Sequence, residues 1–148
     1  MQLSLHADYS LRVLIYLAAA RPAGRVVSTL EISDAYGISR NHLVRVMQTL
    51  AASGYVTATA GRTGGVTLAC APDDIRISDV IRASEPSLRL VECFDKSSNT
   101  CPIARACELK KMLRQALDAF LSVLDGYTIA DVANPRARPE LIRILRTA

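Results

Sequence analysis

The segment from Ser28 to Gly65 admits few folds, because its helix starts, helix stops and turns come in a fixed order. Ser28-Thr-Leu-Glu31 has the form of a capping box, in which the serine side chain accepts from the Glu31 backbone N–H and the glutamate reaches back. It predicts a short helix running to Tyr36 and ending at Gly37, since glycine enters the left-handed conformation of a tight turn without steric cost. Ser39 then caps a longer helix to about Ser53, on which Leu43, Val46, Met47 and Leu50 recur at the spacing of one buried face. Asn41, Arg45 and Gln48 project roughly opposite, and Arg40 and His42 stand near the same N-terminal end. Gly54 closes that helix. Two strands follow, Tyr55–Ala60 and Val66–Cys70, joined by Gly61-Arg-Thr-Gly-Gly65 into a hairpin with a glycine-rich, basic tip. Short helix, glycine turn, longer helix and basic hairpin are the parts of a winged helix-turn-helix. In such motifs the second helix lies in the major groove and its N-terminal side chains meet base edges.

Charge agrees with this pattern. The net charge of +4 is modest, but there is no acidic residue between Asp34 and Asp73, a stretch that carries Arg40, His42, Arg45 and Arg62. A basic segment of that length attracts a polyanion. The expected DNA contacts are therefore Ser28, Ser39, Arg40, Asn41, His42, Arg45, Arg62, Thr63, Gly64 and Gly65. Arginine reads guanine and asparagine reads adenine with two hydrogen bonds, each such pair discriminating by about 1–3 kcal/mol. Arg62 suits a narrow minor groove, where negative potential is enhanced. Gly64 and Gly65 let the backbone approach closely, or simply make a tight turn.

Around this unit, a helix is predicted over about Ala7–Ala20, with Leu11, Leu14, Ile15 and Ala18 on one stripe, broken by Arg-Pro-Ala-Gly at 21–24. Another short one covers Ile77–Ser84 and stops before Glu85-Pro86. Glu108 to Asp125 reads as a long amphipathic helix with a wide apolar face. That face calls for a partner, and a homodimer supplies it, since helix-turn-helix proteins usually read two half-sites. The tail from Asn134 reads as loop with one last turn through Leu141–Leu145. The expected fold class is mainly α with a small β-hairpin wing. The expected organisation is a winged helix-turn-helix domain over 1–84, a cysteine loop over 85–107, a dimerisation helix region over 108–132 and a tail over 133–148. No apolar run approaches the roughly 18 to 20 residues of a membrane span. The N-terminus lacks the basic start and apolar stretch of a signal peptide. A cytoplasmic protein, with reduced thiols and no membrane partner, is the expectation. No acid, base and nucleophile converge in the sequence, which argues against an enzyme.

Three cysteines, Cys93, Cys101 and Cys107, lie within fifteen residues at the spacing C-x7-C-x5-C. A disulfide would use two and strand the third. Structural zinc usually takes four ligands in close pairs, whereas an iron–sulfur cluster is a larger object that loops of five to seven residues can wrap. Spacing leaves disulfide, zinc, cluster and unliganded thiols open, with the reducing compartment against the disulfide. A three-cysteine cluster needs a fourth donor or keeps an open iron; the candidates by type are His6, Asp8, Asp95 and Glu108. Asp8 also makes sense as a first-turn acid favoured by the helix dipole. Cys70, at a strand end far from the loop, reads as a small buried residue.

Asp8-Tyr-Ser-Leu-Arg12, Ser39-Arg-Asn-His-Leu43, Gly54-Tyr-Val56, Gly61-Arg-Thr-Gly-Gly65 and the cysteine loop together resemble the NsrR family. These are nitric-oxide-sensing repressors in the winged-helix superfamily that also contains IscR. The resemblance extends to about Val132. It implies a homodimer, one 4Fe–4S cluster per subunit held by Cys93, Cys101 and Cys107, and Asp8 of the partner subunit as the fourth ligand. It also implies an inverted-repeat operator that is released when nitric oxide attacks the cluster. The IscR type uses a histidine three residues after the third cysteine; that position here is Lys110, which cannot ligate while protonated. A 2Fe–2S iron or redox regulator and a zinc-stabilised repressor are the alternatives.

Overall fold

In a computed structural model the described residues are 2–20, 25–61 and 64–147, the side chains of 146 and 147 excepted. The first helix, α1, spans Leu5–Ala19 and starts two residues before its predicted beginning. Ser4 sets that start, its hydroxyl accepting from the Ala7 N–H at 3.2 Å. Burial on α1 is wider than the predicted stripe. Val13, Leu14 and Leu17 are buried while Leu11 and Ile15 are only half-buried. The reason is that α1 is enclosed on several sides, by α3 (Arg40–Ala52), α4 (Ile77–Ser84), α6 (Ile129–Val132) and α7 (Arg138–Thr147). The Arg-Pro-Ala-Gly break falls outside the described residues.

α2 covers Thr29–Tyr36, as its cap predicts, but only half of the expected capping box forms. Ser28 Oγ accepts from the Glu31 N–H at 3.1 Å. The Glu31 carboxylate does not turn back; it accepts from the Tyr16 hydroxyl at 2.7 Å and from Arg25 at 2.9 Å. Tertiary partners outcompete the local one here, and they tie α2 to α1. Burial and the neighbouring carboxylate push the Tyr16 phenol well above its ordinary value. Gly37 has φ of +63°, the left-handed turn the sequence requires. On α3, Leu43, Val46, Met47 and Leu50 are buried as a single face, matching the periodicity.

The hairpin pairs β1 (Val56–Thr59) with β2 (Gly65–Leu68), antiparallel, in the register Val56 to Leu68 and Thr59 to Gly65. Both strands are shorter than predicted. One feature was not legible: Val27, just before α2, bridges to Val66, with N–H···O bonds of 3.0 and 2.8 Å in the two directions. The two valines are buried and pin the wing to the base of α2.

α5 spans Glu108–Asp125, as predicted. It meets α4, where Ile81, Leu117 and Leu121 form a second, smaller core. The larger core lies among α1, α3, α4 and the hairpin and takes in Ile129 of α6, with Leu145 of α7 packed against it. The tail thus departs from the expected loop. Thr128 and Asp131 form a full capping box that starts α6. Asn134 Oδ1 accepts from the N–H groups of Arg136 and Ala137, both at 3.0 Å, and turns the chain into α7. Pro139 sits in the first turn of α7, where its missing N–H costs nothing. Arg138 then donates to the Ala19 carbonyl at 3.1 Å, meeting the C-terminal end of α1.

Candidate DNA-reading face and cysteine loop

Two regions hold the residues expected to carry function. On α3, the side chains of Arg40, Asn41, His42, Arg45 and Gln48 are exposed. Neither Arg40 nor Arg45 has an ion-pair partner among the described residues, so both cations remain available to an anion. Ser39 is exposed and serves as N-cap, accepting from the His42 N–H at 3.4 Å; Ser28 plays the same part for α2. His42 faces Tyr9 of α1, with ring centroids 6.0 Å apart, and Arg45 lines the same small hollow with His6. Arg62 and Thr63 lie outside the described residues. Gly64 and Gly65 are explained from within the fold. A Cβ on Gly64 would stand 2.4 Å from the Thr59 carbonyl oxygen, and one on Gly65 would stand 2.3 Å from that of Val27.

The cysteine loop runs from a 3-10 turn, Glu92–Phe94, to the start of α5. Cys93 is buried, Cys101 and Cys107 are half-buried, and all three are free thiols. Polar side chains brace the loop. Asp95 accepts from the Ser97 N–H at 2.9 Å and from the hydroxyls of Ser97 and Ser98 at 2.7 and 2.9 Å. Those bonds, with Arg89 nearby, hold its carboxyl down at about 2. Asn99 Oδ1 accepts from the Cys101 N–H at 3.1 Å. Cys107 occupies the N-cap position of α5. Beside it lies a hollow of about 540 Å³ rimmed by Arg105, Lys110, Lys111 and Arg114. Arg114 stacks over the Phe94 ring at 4.0 Å and so joins α5 to the turn that carries Cys93.

The other candidate ligands are spread out. Asp8 pairs with Arg12 at 2.8 Å, His6 bonds Thr49 at 2.9 Å, and Glu108 pairs with Lys111 at 2.8 Å. Among the described residues no three His, Cys, Asp or Glu side chains are gathered to hold a metal ion. The three thiols are nonetheless free and share one loop, and the hollow beside Cys107 is lined by four cations and one acid, Asp118. That donor set suits an anionic thiolate-held cluster. Cys70 is half-buried after β2, and burial raises its thiol above the usual range; it packs against the main core.

Residues 3–135 match the Rrf2 family, described as an iron-dependent transcriptional regulator. The chain belongs to the Rrf2 family. Over 146 residues it is 43% identical to the HTH-type transcriptional regulator NsrR of Bacillus subtilis (strain 168), across 99% of this chain and 98% of that one. Two solved Rrf2-type structures are also similar. CymR (YrzC), the global cysteine regulator of B. subtilis, superposes with a TM-score of 0.70 at 26% identity, over 90% of this chain and 96% of that one. IscR of T. potens gives 0.69 at 27% identity, over 89% and 85%. The mainly helical fold with a winged helix-turn-helix is therefore common ground, and the chain is a DNA-binding transcription regulator rather than an enzyme. No helix among the described residues is long and apolar enough to cross a membrane.

Within this Rrf2 chain, sequence reasoning missed the junction between α4 and the far end of α5. Ser78, wholly buried, donates its hydroxyl to Asp125, the last residue of α5. Arg82 donates to the same carboxylate at 3.0 Å, and Arg76 to the Asp125 carbonyl at 3.2 Å. The backbone closes the junction, Ile77 N–H to Tyr127 and Ile129 N–H to Ile75, at 3.0 and 2.9 Å. An acid at a helix C-terminus is disfavoured by the helix dipole, so three donors converging on Asp125 mark a fixed attachment. Thus the helix that begins at Cys107 ends fastened to α4, on which α1 and α3 pack. The partners lie 47 residues apart in sequence, which no local pattern reveals.

Proposed function

We propose that the chain is a homodimeric repressor that senses nitric oxide through one 4Fe–4S cluster per subunit. Cys93, Cys101 and Cys107 would hold the cluster, with Asp8 of the partner subunit as fourth ligand. The observation that carries this reading is the course of α5, which has a loop of free thiols at its head and the Asp125 attachment to α4 at its foot. The 43% identity to an NsrR supports it. So does Lys110, which stands where the IscR type has a ligand histidine.

The cluster, when bound, supplies iron that reacts with nitric oxide. The chain's own residues convert that chemistry into movement. Cys107 begins a rigid helix about 27 Å long, taking 1.5 Å per residue over its 18 residues. Were Cys107 to lose a bound cluster, one end of the helix would be freed while Asp125 would keep the other fastened to α4. Leu109, Met112 and Val123 of α5 are 59%, 61% and 63% exposed, an apolar surface that a second subunit would cover. A dimer formed there would hold two copies of α3 at the spacing of two half-sites, DNA-bound while the cluster is intact. The regulated operator would be an inverted repeat in front of nitric-oxide detoxification genes.

The test is composition first. Protein isolated without oxygen should be brown, with about four irons and four sulfides per chain. Two irons per chain would favour the 2Fe–2S regulator, and a colourless zinc protein would overturn the cluster.

A further inference from the structure

On α3, Asn41, Val44, Arg45 and Gln48 follow at i, i+3, i+4 and i+7, which places them on one stripe of the helix. Three of the four are polar and suited to base edges. The fourth is a valine, 48% exposed, at the centre of the stripe. Valine is a weak helix former because its β-branch loses rotamer freedom, and here about half of its surface is left uncovered by the chain. Helix propensity therefore does not account for it. Beside it opens a hollow of about 360 Å³ between α3 and the wing, bordered by the small residues Ala51, Ala58, Gly61 and Gly64. The surrounding cations Arg40 and Arg45 are unpaired among the described residues, and no acid lies between Asp34 and Asp73. A polyanion is thus the occupant that charge selects, and the apolar residue must meet an apolar feature of it.

The major-groove edge of duplex DNA has one such feature, the C5 methyl of thymine. We infer that Val44 is a specificity residue that packs on a thymine methyl in the operator half-site, while Asn41, Arg45 and Gln48 hydrogen-bond to neighbouring base edges. This deepens the DNA-reading assignment of α3 and rests on it. Val44 sets which base pair is preferred at one position and adds no charge, so it acts on sequence preference and leaves the phosphate attraction alone.

The experiment uses the full chain, isolated without oxygen, and a preferred duplex selected from a random pool. Each thymine is then replaced singly by deoxyuridine, which lacks only the methyl. At one or two positions in each half-site the unaltered protein should lose about fourfold in affinity, the effect of one methyl-sized apolar contact. Val44→Ala should bind the thymine and deoxyuridine duplexes at those positions alike, with the same salt dependence as the unaltered protein, since that slope is set by phosphate contacts. A preferred duplex that tolerates loss of every thymine methyl, or a methyl dependence that survives Val44→Ala, would overturn the inference while leaving the DNA reading intact. Failure to select any preferred duplex would overturn both.

Discussion

Asp8 and Arg12 stand one turn apart on α1, carboxylate and guanidinium 2.8 Å from each other, and both side chains remain about two-fifths exposed. The pair is therefore open to exchange. Arg12 has second partners in the rings of Tyr9 and Tyr36, 5.8 and 5.9 Å away, which can keep it placed when Asp8 turns elsewhere. An exposed i, i+4 pair is worth only a few tenths of a kcal/mol, so it would offer little resistance to the proposed capture of Asp8 by a cluster on the partner subunit.

Asp8→Ala should accordingly leave the fold intact, with a melting temperature close to that of the unaltered protein, yet make the cluster labile. Loss of visible absorbance after dilution into a chelator measures this. An unchanged cluster lifetime and unchanged nitric-oxide response would place the fourth ligand elsewhere.

Asp125 supplies the pH prediction. Its carboxyl is held below the usual carboxylate range, chiefly by hydrogen bonds from Arg82 and then Ser78. A folded value depressed below the unfolded one gives stability that is present above about pH 4. That contribution is lost as pH falls through the folded value. In thermal melts, Asp125→Asn should be less stable than the unaltered chain at pH 6, and the gap should narrow towards pH 3. The same substitution should weaken the response of DNA binding to cluster loss, because it loosens the foot of α5.

On the reading face, Arg45→Ala should cost about 1–3 kcal/mol in operator affinity if the side chain meets a guanine, and should relax sequence preference at that base pair. Arg40→Ala, if Arg40 meets a phosphate, should weaken all duplexes alike and reduce the salt slope by about one. Titrations of operator and random duplex at several salt concentrations separate the two roles.

Gly65→Ala tests the wing. The added Cβ would press on the Val27 carbonyl, so the bridge from Val27 to Val66 must open. A loss of about 1–3 kcal/mol in unfolding free energy is expected, measured by denaturant titration. Wild-type stability would show that the Val27 to Val66 bridge yields to an added methyl at no cost.

The parts of this molecule written in local signals were legible. Ser39, Gly37 and the spacing of Leu43, Val46, Met47 and Leu50 specify α3 without reference to the rest of the chain. What distant partners decide was not. Glu31 left its capping box for Tyr16 and Arg25. Val27 found Val66, and Ser78 found Asp125. The C-terminal region carries local signals as well, since Thr128 with Asp131 and Asn134 before Pro139 start α6 and α7. Val44 was hidden for a different reason. Its apolar type suggests core, and only its exposure shows that it lies on the surface.

In the proposed switch, the state of a cluster on Cys93, Cys101 and Cys107 sets the DNA affinity of α3. Anaerobic titration of the brown protein with its selected duplex, before and after a measured addition of nitric oxide, tests it most directly. The prediction is tight binding before addition, and a fall of at least about tenfold that tracks the change in the visible spectrum. Affinity that stays constant while the spectrum changes would contradict it.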